Sequence, residues 1–268
     1  MNKAYPAVLT IAGSDSGGGA GIQADIKSIS ACGAYAASVI TATTAQNTQG
    51  VTDIHAIPIP HLEMQLNAVL SDIAFCAIKI GMLHSCEVIQ TVDEKLKEYG
   101  GGNIVLDPVM VATSGDNLID EAAIDCLKAF LPKATLITPN LPEAEILIGR
   151  PIEPHEAATV ARELGQAFQT SVLLKGGHLE ISGDKMLDHL YHFATDDIHV
   201  IESPRINTNN THGTGCSLSS SIAAYLSLGD GLVAAVGKGI RYVNQAIASG
   251  KDKVLGKGHG PINHFGIP

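Results

Sequence analysis

The chain has 268 residues, 17 Lys and Arg against 27 Asp and Glu (a formal net charge of −10), and 45% hydrophobic residues. Such a chain suits a well-buried α/β or barrel core and is not disordered, since disorder needs low hydrophobicity and dense charge. The acidic balance gives no basic footprint for nucleic acid, and with no Trp and 4% aromatic residues there is little surface for base stacking.

Short apolar runs rich in Val and Ile alternate with helical periodicity along the chain. Ala7 to Gly13 reads as a buried strand, followed by a helix with Ile22, Ile26 and Ile29 on one face, stopped by Gly33. Ala36 to Gln46 and Val51 to Ile57 read as strands joined by the turn Asn47-Thr48-Gln49-Gly50. Leu62, Leu66 and Val69 mark the next helix, and Ala77 to Leu83 a strand. A helix carrying Ile89, Val92 and Leu96 ends at Gly100-Gly101-Gly102. Ile104 to Val111 is a strand broken by Asp107-Pro108, and Ala134 to Thr138 is another, followed by a helix opening at Asn140-Leu141-Pro142-Glu143. Val172 to Lys175 closes the series, before a polar hairpin-like stretch around Ser182 to Thr195. Two final helices carry Leu218, Ile222 and Leu226, then Leu232, Val236, Ile240, Val243 and Ile247, at core spacing.

This alternation predicts an open doubly wound, mostly parallel sheet with helices on both faces, in a single domain over residues 1–268. An eight-fold barrel is disfavoured, because Ala36 to Ile57 reads as an antiparallel excursion and no strand separates the last two helices. Cys32, Cys76, Cys86, Cys126 and Cys216 show no CxxC spacing, so a reduced set without a zinc knuckle is expected. The first apolar run is too short for a signal peptide and none approaches a membrane span; a soluble, cytoplasmic chain is expected.

Sites in open parallel sheets gather at the carboxyl ends of strands. Here those ends carry Gly13-Ser14-Asp15-Ser16-Gly17-Gly18-Gly19, Gly81-Met82, Asp107-Pro108-Val109, Thr138-Pro139-Asn140 and Lys175-Gly176-Gly177. The sharpest stretch is Asn210-Thr211-His212-Gly213-Thr214-Gly215-Cys216, which runs directly into a helix. Glycines at a helix start turn backbone N–H groups toward a ligand, where the helix dipole favours an anion and a thiolate. The plain alternative is a capped Gly-rich loop with Cys216 as filler. Without Gly-Lys-Ser/Thr, the stretch is not a Walker P-loop.

With Ser217 and Leu218, that stretch resembles the signature of the hydroxymethylpyrimidine and phosphomethylpyrimidine kinases of thiamin biosynthesis, within the ribokinase-like superfamily. Thr10 through Asp25 resembles the family's opening. Thr44-Ala45-Gln46-Asn47-Thr48, Lys79-Ile80-Gly81-Met82-Leu83, Asp107-Pro108-Val109-Met110, Thr138-Pro139-Asn140 through Glu143-Ala144 and Lys175-Gly176-Gly177-His178 follow in order. The resemblance spans essentially the whole chain.

It implies phosphorylation of a 4-amino-2-methylpyrimidine bearing a hydroxymethyl group, and then of its monophosphate, with ATP and magnesium, by a homodimer. Gln46 matches the pyrimidine-reading glutamine, whose amide offers both a donor and an acceptor. Gly13, Met82 and Val109 match the lining of the ring pocket, and Asp25 is placed near it on the first helix. Cys216 matches the position of the base, and the N–H groups of Gly213, Thr214 and Gly215 that of the anion hole. Asp107 and Glu143 match magnesium ligands, though Asn140 to Glu143 also has capping-box spacing. Lys175, Thr208 and Thr211 match nucleotide contacts.

Thr113, ahead of Ser114-Gly115-Asp116, stands where many relatives have Lys in a flap, and Asn207 stands where Asp is expected. The competing readings are a pyridoxal or pyridoxine kinase on the same scaffold and a non-catalytic pyrimidine sensor. Gln46 favours the aminopyrimidine over pyridoxal, and the presence of both Asp107 and Cys216 disfavours a sensor. A nicotinamide oxidoreductase is strongly disfavoured, because the glycines of the opening are out of register for that fingerprint and no acidic residue follows the second strand in the ribose position. The histidines show no metal-ligand spacing, and His212 is noted only as part of its loop.

Overall fold

The computed structural model describes residues 4–110, 119, 121–176 and 185–266. In chain order the elements are β1 (Ala7–Asp15), α1 (Gly21–Ala31), β2 (Tyr35–Asn47), β3 (Gly50–Ala56), α2 (Ile59–Leu70), β4 (Ala77–Ile80), α3 (Cys86–Tyr99) and β5 (Asn103–Leu106). There follow α4 (Ile124–Phe130), β6 (Leu136–Ile137), α5 (Leu141–Ile148), α6 (Ala157–Phe168), β7 (Ser171–Leu174), β8 (Lys185–His192), β9 (Asp197–Pro204), α7 (Thr214–Ser227) and α8 (Leu232–Gly250). The strands form one sheet in the order β3-β2-β1-β4-β5-β6-β7-β8-β9. From β2 to β7 all neighbours are parallel, while β3 at one edge and β8–β9 at the other are antiparallel. The sheet is open, as expected, rather than a closed barrel.

Strand side chains alternate between two cores, as the two-residue period requires. Leu9, Ile11, Ile78, Ile80, Leu106, Ile137, Val172 and Leu174 face α2 to α6. Val8, Ala77, Val105, Leu136 and Leu173 face α1, α7 and α8. Strand order reverses between β1 and β4, where the chain winds one way to β2 and the other way to β5. In a doubly wound sheet a ligand crevice opens at that point.

The sequence expectations need several corrections. Gly81 to Leu83 and Asp107 to Val109 lie beyond β4 and β5, and β6 has two residues where Ala134 to Thr138 was read. These strands stop where the chain turns into the crevice loops, so apolar character outlasts ladder pairing. On α1, Ile26 is only half-buried, and Asp25 and Ser28 join Ile22 and Ile29 inside. The polar stretch is a long hairpin, β8–β9, that extends the sheet. Gly177 and His178, and the flap from Val111 through Thr113 to Asp116, lie outside the described residues.

The cysteines are not all reduced: Cys86 and Cys126 form a disulfide with Cα atoms 5.5 Å apart. Their 40-residue separation hides the pairing in sequence. α3 and α4 pack on the same face of the sheet, and this brings the two together. Cys32, Cys76 and Cys216 are free. Among the described residues, no helix is long and apolar enough to cross a membrane.

Candidate active site

At the end of β1 the Asp15 carboxylate gathers the N–H groups of Gly17 (2.7 Å), Gly19 (3.0 Å) and Ala20 (2.8 Å), folding the glycine-rich turn around itself. His212 Nε2 lies 3.0 Å from Asp15 Oδ2, clamping the loop before α7 onto that turn. Gly213 adopts φ +81°, and a Cβ there would stand 1.8 Å from the Gly19 carbonyl oxygen. Only glycine permits both that backbone and that approach. Two glycine-rich segments nearly 200 residues apart therefore make one wall, its N–H groups presented at the start of α7.

The expected ring pocket is partly assembled. A Cβ on Gly13 would lie 3.0 Å from Met82 Sδ, so the thioether packs over bare backbone. Gln46 sits at a β-bulge in the β2–β3 pairing, a device that re-aims a side chain. Ser16 Oγ holds its backbone, accepting from the Gln46 N–H and donating to its carbonyl, each at 2.8 Å. Val109 is half-buried, and its N–H donates to the Asp107 carbonyl at 2.8 Å.

Asp25 departs from expectation. It is completely buried: Oδ2 accepts from Thr10 Oγ1 (2.6 Å) and Lys79 Nζ (2.8 Å), and Oδ1 accepts from Ser220 Oγ (2.7 Å). A carboxylate with no exposed surface and both oxygens engaged does not face an open ligand site. It is a buried ion pair tying α1, β4 and α7 together. Helical spacing places a side chain on a face but does not show whether that face is capped by protein or open to a ligand.

At the ends of β5 and β7 lies a second charged cluster. Asp107 Oδ1 accepts from Thr138 Oγ1 at 3.0 Å and Lys175 Nζ at 2.9 Å, and Lys175 Nζ is 3.8 Å from Glu143 Oε2. The capping box is present too: Asn140 N–H donates to Glu143 Oε2 at 2.8 Å, and Glu143 N–H to Asn140 Oδ1 at 2.9 Å. Burial pushes the Glu143 carboxyl up to about 7; Asp107 adds to the rise, and Lys175 with the Asn140 N–H opposes it. Burial works against the Lys175 ammonium, but Asp107 and Glu143 outweigh it and hold the pKa above the usual lysine range. A Cβ on Gly215 would lie 3.4 Å from Asp107 Oδ2 and 3.5 Å from Lys175 Nζ. The first turn of α7 thus closes over this cluster.

Two hard carboxylates share a single ammonium, so with both ionised one negative charge is uncompensated; burial, with Asp107 adding to it, disfavours that charge on Glu143. That donor set fits a magnesium ion that keeps its waters and completes its shell with phosphate oxygens. It does not form a free-standing cage, for no group of three or more His, Cys, Asp or Glu that could hold a metal occurs among the described residues.

Cys216 also corrects its expectation. A helix start favours the thiolate, but here burial outweighs it and pushes the thiol up to about 11. Lys79 opposes this in part, and Asp25 and Asp107 reinforce it. Thr214 N–H donates to the Thr211 carbonyl at 3.3 Å, so it is already engaged. The Thr208 hydroxyl donates to the Lys251 carbonyl at 2.9 Å and accepts from Asn210 N–H at 3.1 Å. It ties its loop to the end of α8, while Thr211 stays half-buried. Asn207 is exposed.

Sequence reasoning missed the Asp15–His212 clamp and Lys79. Asp followed by Ser-Gly-Gly-Gly is itself a turn-forming signal. A lysine inside the apolar strand Ala77–Ile80 demands a buried partner.

Residues 15–263 match the phosphomethylpyrimidine kinase family. The chain is 46% identical to a hydroxymethylpyrimidine/phosphomethylpyrimidine kinase of Rhizobium meliloti, covering 96% of each. It is 50% identical to the thiamine biosynthesis bifunctional protein ThiED of Geobacter sulfurreducens over 96% of this chain; it spans about half that relative, 52% of its length. The solved phosphomethylpyrimidine kinase from Clostridium difficile 630 is 41% identical, with TM-score 0.79 over 90% of this chain and 99% of that one. A Staphylococcus aureus pyridoxal kinase in complex with AMP-PCP and pyridoxal is 29% identical, with TM-score 0.86 over 98% of this chain and 95% of that one.

Proposed function

The chain belongs to the phosphomethylpyrimidine kinase family, with its ribokinase-like fold, and from that premise we propose that it phosphorylates 4-amino-5-hydroxymethyl-2-methylpyrimidine and then its monophosphate, using ATP and magnesium, in thiamin biosynthesis. The observation that carries the reading is the closure of the α7 start over the Asp107–Lys175 pair. It puts an anion-binding helix terminus, a cation and two carboxylates around one spot, as phosphoryl transfer requires.

In this mechanism Gln46 reads the ring, while Gly13, Met82 and Val109 hold its faces. The hydroxymethyl group is directed at Cys216. The phosphoryl-transfer transition state is loose, so its demand on a base is small and late; Cys216 takes the hydroxymethyl proton as the thiolate and becomes the thiol, the thiolate being the minority form because burial pushes the thiol up to about 11. Gly213 and Gly215 N–H groups, with Thr214 once its bond to Thr211 yields, face the charge developing on the phosphoryl oxygens. Lys175 leaves Asp107 for a nucleotide phosphate, freeing Asp107 and Glu143 to hold magnesium. Asp107 and Glu143 would hold the ion, which would supply neutralisation of phosphate charge there. Thr208 and Thr211 border the nucleotide. The enzyme is read as one cytoplasmic domain that works as a homodimer.

Phosphorus NMR of products from the hydroxymethylpyrimidine, ATP and magnesium tests the reading, with monophosphate and then diphosphate expected. The likeness to pyridoxal kinases keeps pyridoxal as the second reading, and faster turnover of pyridoxal in a parallel assay would establish it. Ligand binding without phosphate transfer would indicate a sensor. Cys216→Ala with an unchanged turnover number would reduce Cys216 to pocket lining.

A further inference from the structure

The Gln46 carboxamide lies between two groups whose hydrogens are already committed. Thr44 Oγ1 is 3.0 Å from the Ser14 carbonyl oxygen and 3.0 Å from Gln46 Oε1. A hydroxyl has one proton, so it can donate to only one of these acceptors. The Ser14 carbonyl can only accept; the Gln46 amide can also donate.

On its other side, Gln46 Nε2 is 3.5 Å from His212 Nε2, which is itself 3.0 Å from Asp15 Oδ2. Asp15 is an ionised acceptor. Burial alone would raise its pKa, but His212 and the N–H groups of Ala20 and Gly17 hold it below the usual carboxylate range. His212 Nε2 therefore carries a proton pointed at Asp15, and an N–H facing an amide NH₂ sets donor against donor. A half-turn of the amide removes both conflicts. Nε2 then donates to a Thr44 hydroxyl that itself donates to Ser14, and Oε1 shares the His212 proton with Asp15.

We infer that the Gln46 carboxamide is locked in this orientation, so that Thr44 and the Asp15–His212 pair are specificity-determining positioning residues that set the site for amino- over oxo-pyrimidines. One amide proton and one oxygen lone pair remain for the ligand, as a donor–acceptor edge of fixed order. The hydroxymethyl group must point at Cys216, so the ring cannot turn over to suit itself. A 4-aminopyrimidine offers a ring-nitrogen acceptor beside an amine donor and complements that edge. Its 4-oxo counterpart offers an N–H beside a carbonyl, the reverse order. A freely turning glutamine would serve both rings, and the lock turns it into a reader. This rests on the pyrimidine-kinase reading above.

The test compares kcat/KM for the 4-amino and 4-oxo 5-hydroxymethyl-2-methylpyrimidines in the wild type, Thr44→Val and Thr44→Ser. Sites built around hydrogen bonds reject mismatched ligands strongly, so a wild-type preference of about 10³-fold or more for the amino ring is expected. In Thr44→Val the preference should shrink about 10-fold, partly through a gain on the oxo ring that mere damage would not produce. Thr44→Ser should restore it. An unchanged preference in Thr44→Val, or a failure of serine to restore it, overturns the lock. Nitrogen-15 NMR of the ligand-free wild type gives an answer independent of turnover: the proton of His212 should reside on Nε2, and one Gln46 amide proton should exchange slowly. A neutral ring protonated on Nδ1 alone overturns the lock even if neither alcohol is phosphorylated, an outcome that would by itself refute only the kinase reading.

Discussion

Two lysine–carboxylate constellations sit close together beneath the start of α7, and they are built on opposite plans. Lys79 and Asp25 are both at 0% exposure, and Thr10 and Ser220 also donate to the carboxylate, so both of its oxygens are engaged. Lys175 is 14% exposed and serves two carboxylates, one at 2.9 Å and the other at 3.8 Å. The first is neutral and sealed. The second puts two carboxylates on one ammonium, the farther at 3.8 Å, and in the proposed mechanism an arriving phosphate and cation rearrange it. The contrast separates a charge pair that fixes registry among α1, β4 and α7 from one that changes partners during a reaction.

Removing one lysine from each cluster sharpens the contrast. Lys79→Met should strand a buried carboxylate and cost about 3–5 kcal/mol of stability, seen in urea unfolding. The double variant Lys79→Met/Asp25→Leu should recover most of the loss, because replacing both members with apolar side chains removes the uncompensated charge. A Lys79→Met protein that unfolds at the wild-type urea midpoint would break the sealed reading. Lys175→Met should cost less than half as much stability, since Asp107 keeps Thr138 and solvent reaches the cluster. Its penalty should fall on kcat/KM, by about 10²–10³-fold, the scale seen on deleting one charge-stabilising donor from an active site. Equal stability losses in the two single variants would erase the distinction.

The same distinction marks what could be read from sequence. Parallel strands announced themselves through runs such as Ile78 to Ile80, and the crevice loops through glycine clusters at strand ends. The capping box at Asn140 and Glu143 was legible because it is local. Asp25 was misjudged because its partners Lys79 and Ser220 lie 54 and 195 residues away. The state of the Cys216 thiol was not legible, because a helix start lowers a thiol pKa only where solvation permits, and burial depends on the whole fold. α6 carried a clear stripe, with Val160, Ala161 and Leu164 inside, and was overlooked, as was the seven-residue α4. β9 is a largely exposed edge strand with little alternation to detect.

His264 tests whether the sealed region extends down α7. Its Nε2 lies 3.1 Å from Ser217 Oγ, one residue beyond Cys216, and the ring is buried. Instead of pairing a charge, this position suppresses it: burial, helped by nearby Lys27, pushes the His264 pKa down to about 4. The sign of the pH effect follows. Below the ordinary histidine value near 6.5 the unfolded chain takes a proton that the fold refuses until about 4, so stability falls as pH drops through that window. One proton limits the slope to about 1.4 kcal/mol per pH unit, and partial solvent access should bring the total to about 2 kcal/mol. Asp15, with its pKa lowered, loses its own contribution only below about pH 4, outside the window. Glu143, pushed up to about 7, acts in the opposite direction over the same range, so the quantity to measure is a difference between proteins. Urea midpoints of the wild type and His264→Asn, followed from pH 7 to 4.5, should converge as the wild type loses this contribution. Parallel curves would mean that the ring is protonated within the fold, and that water reaches the region beneath α7.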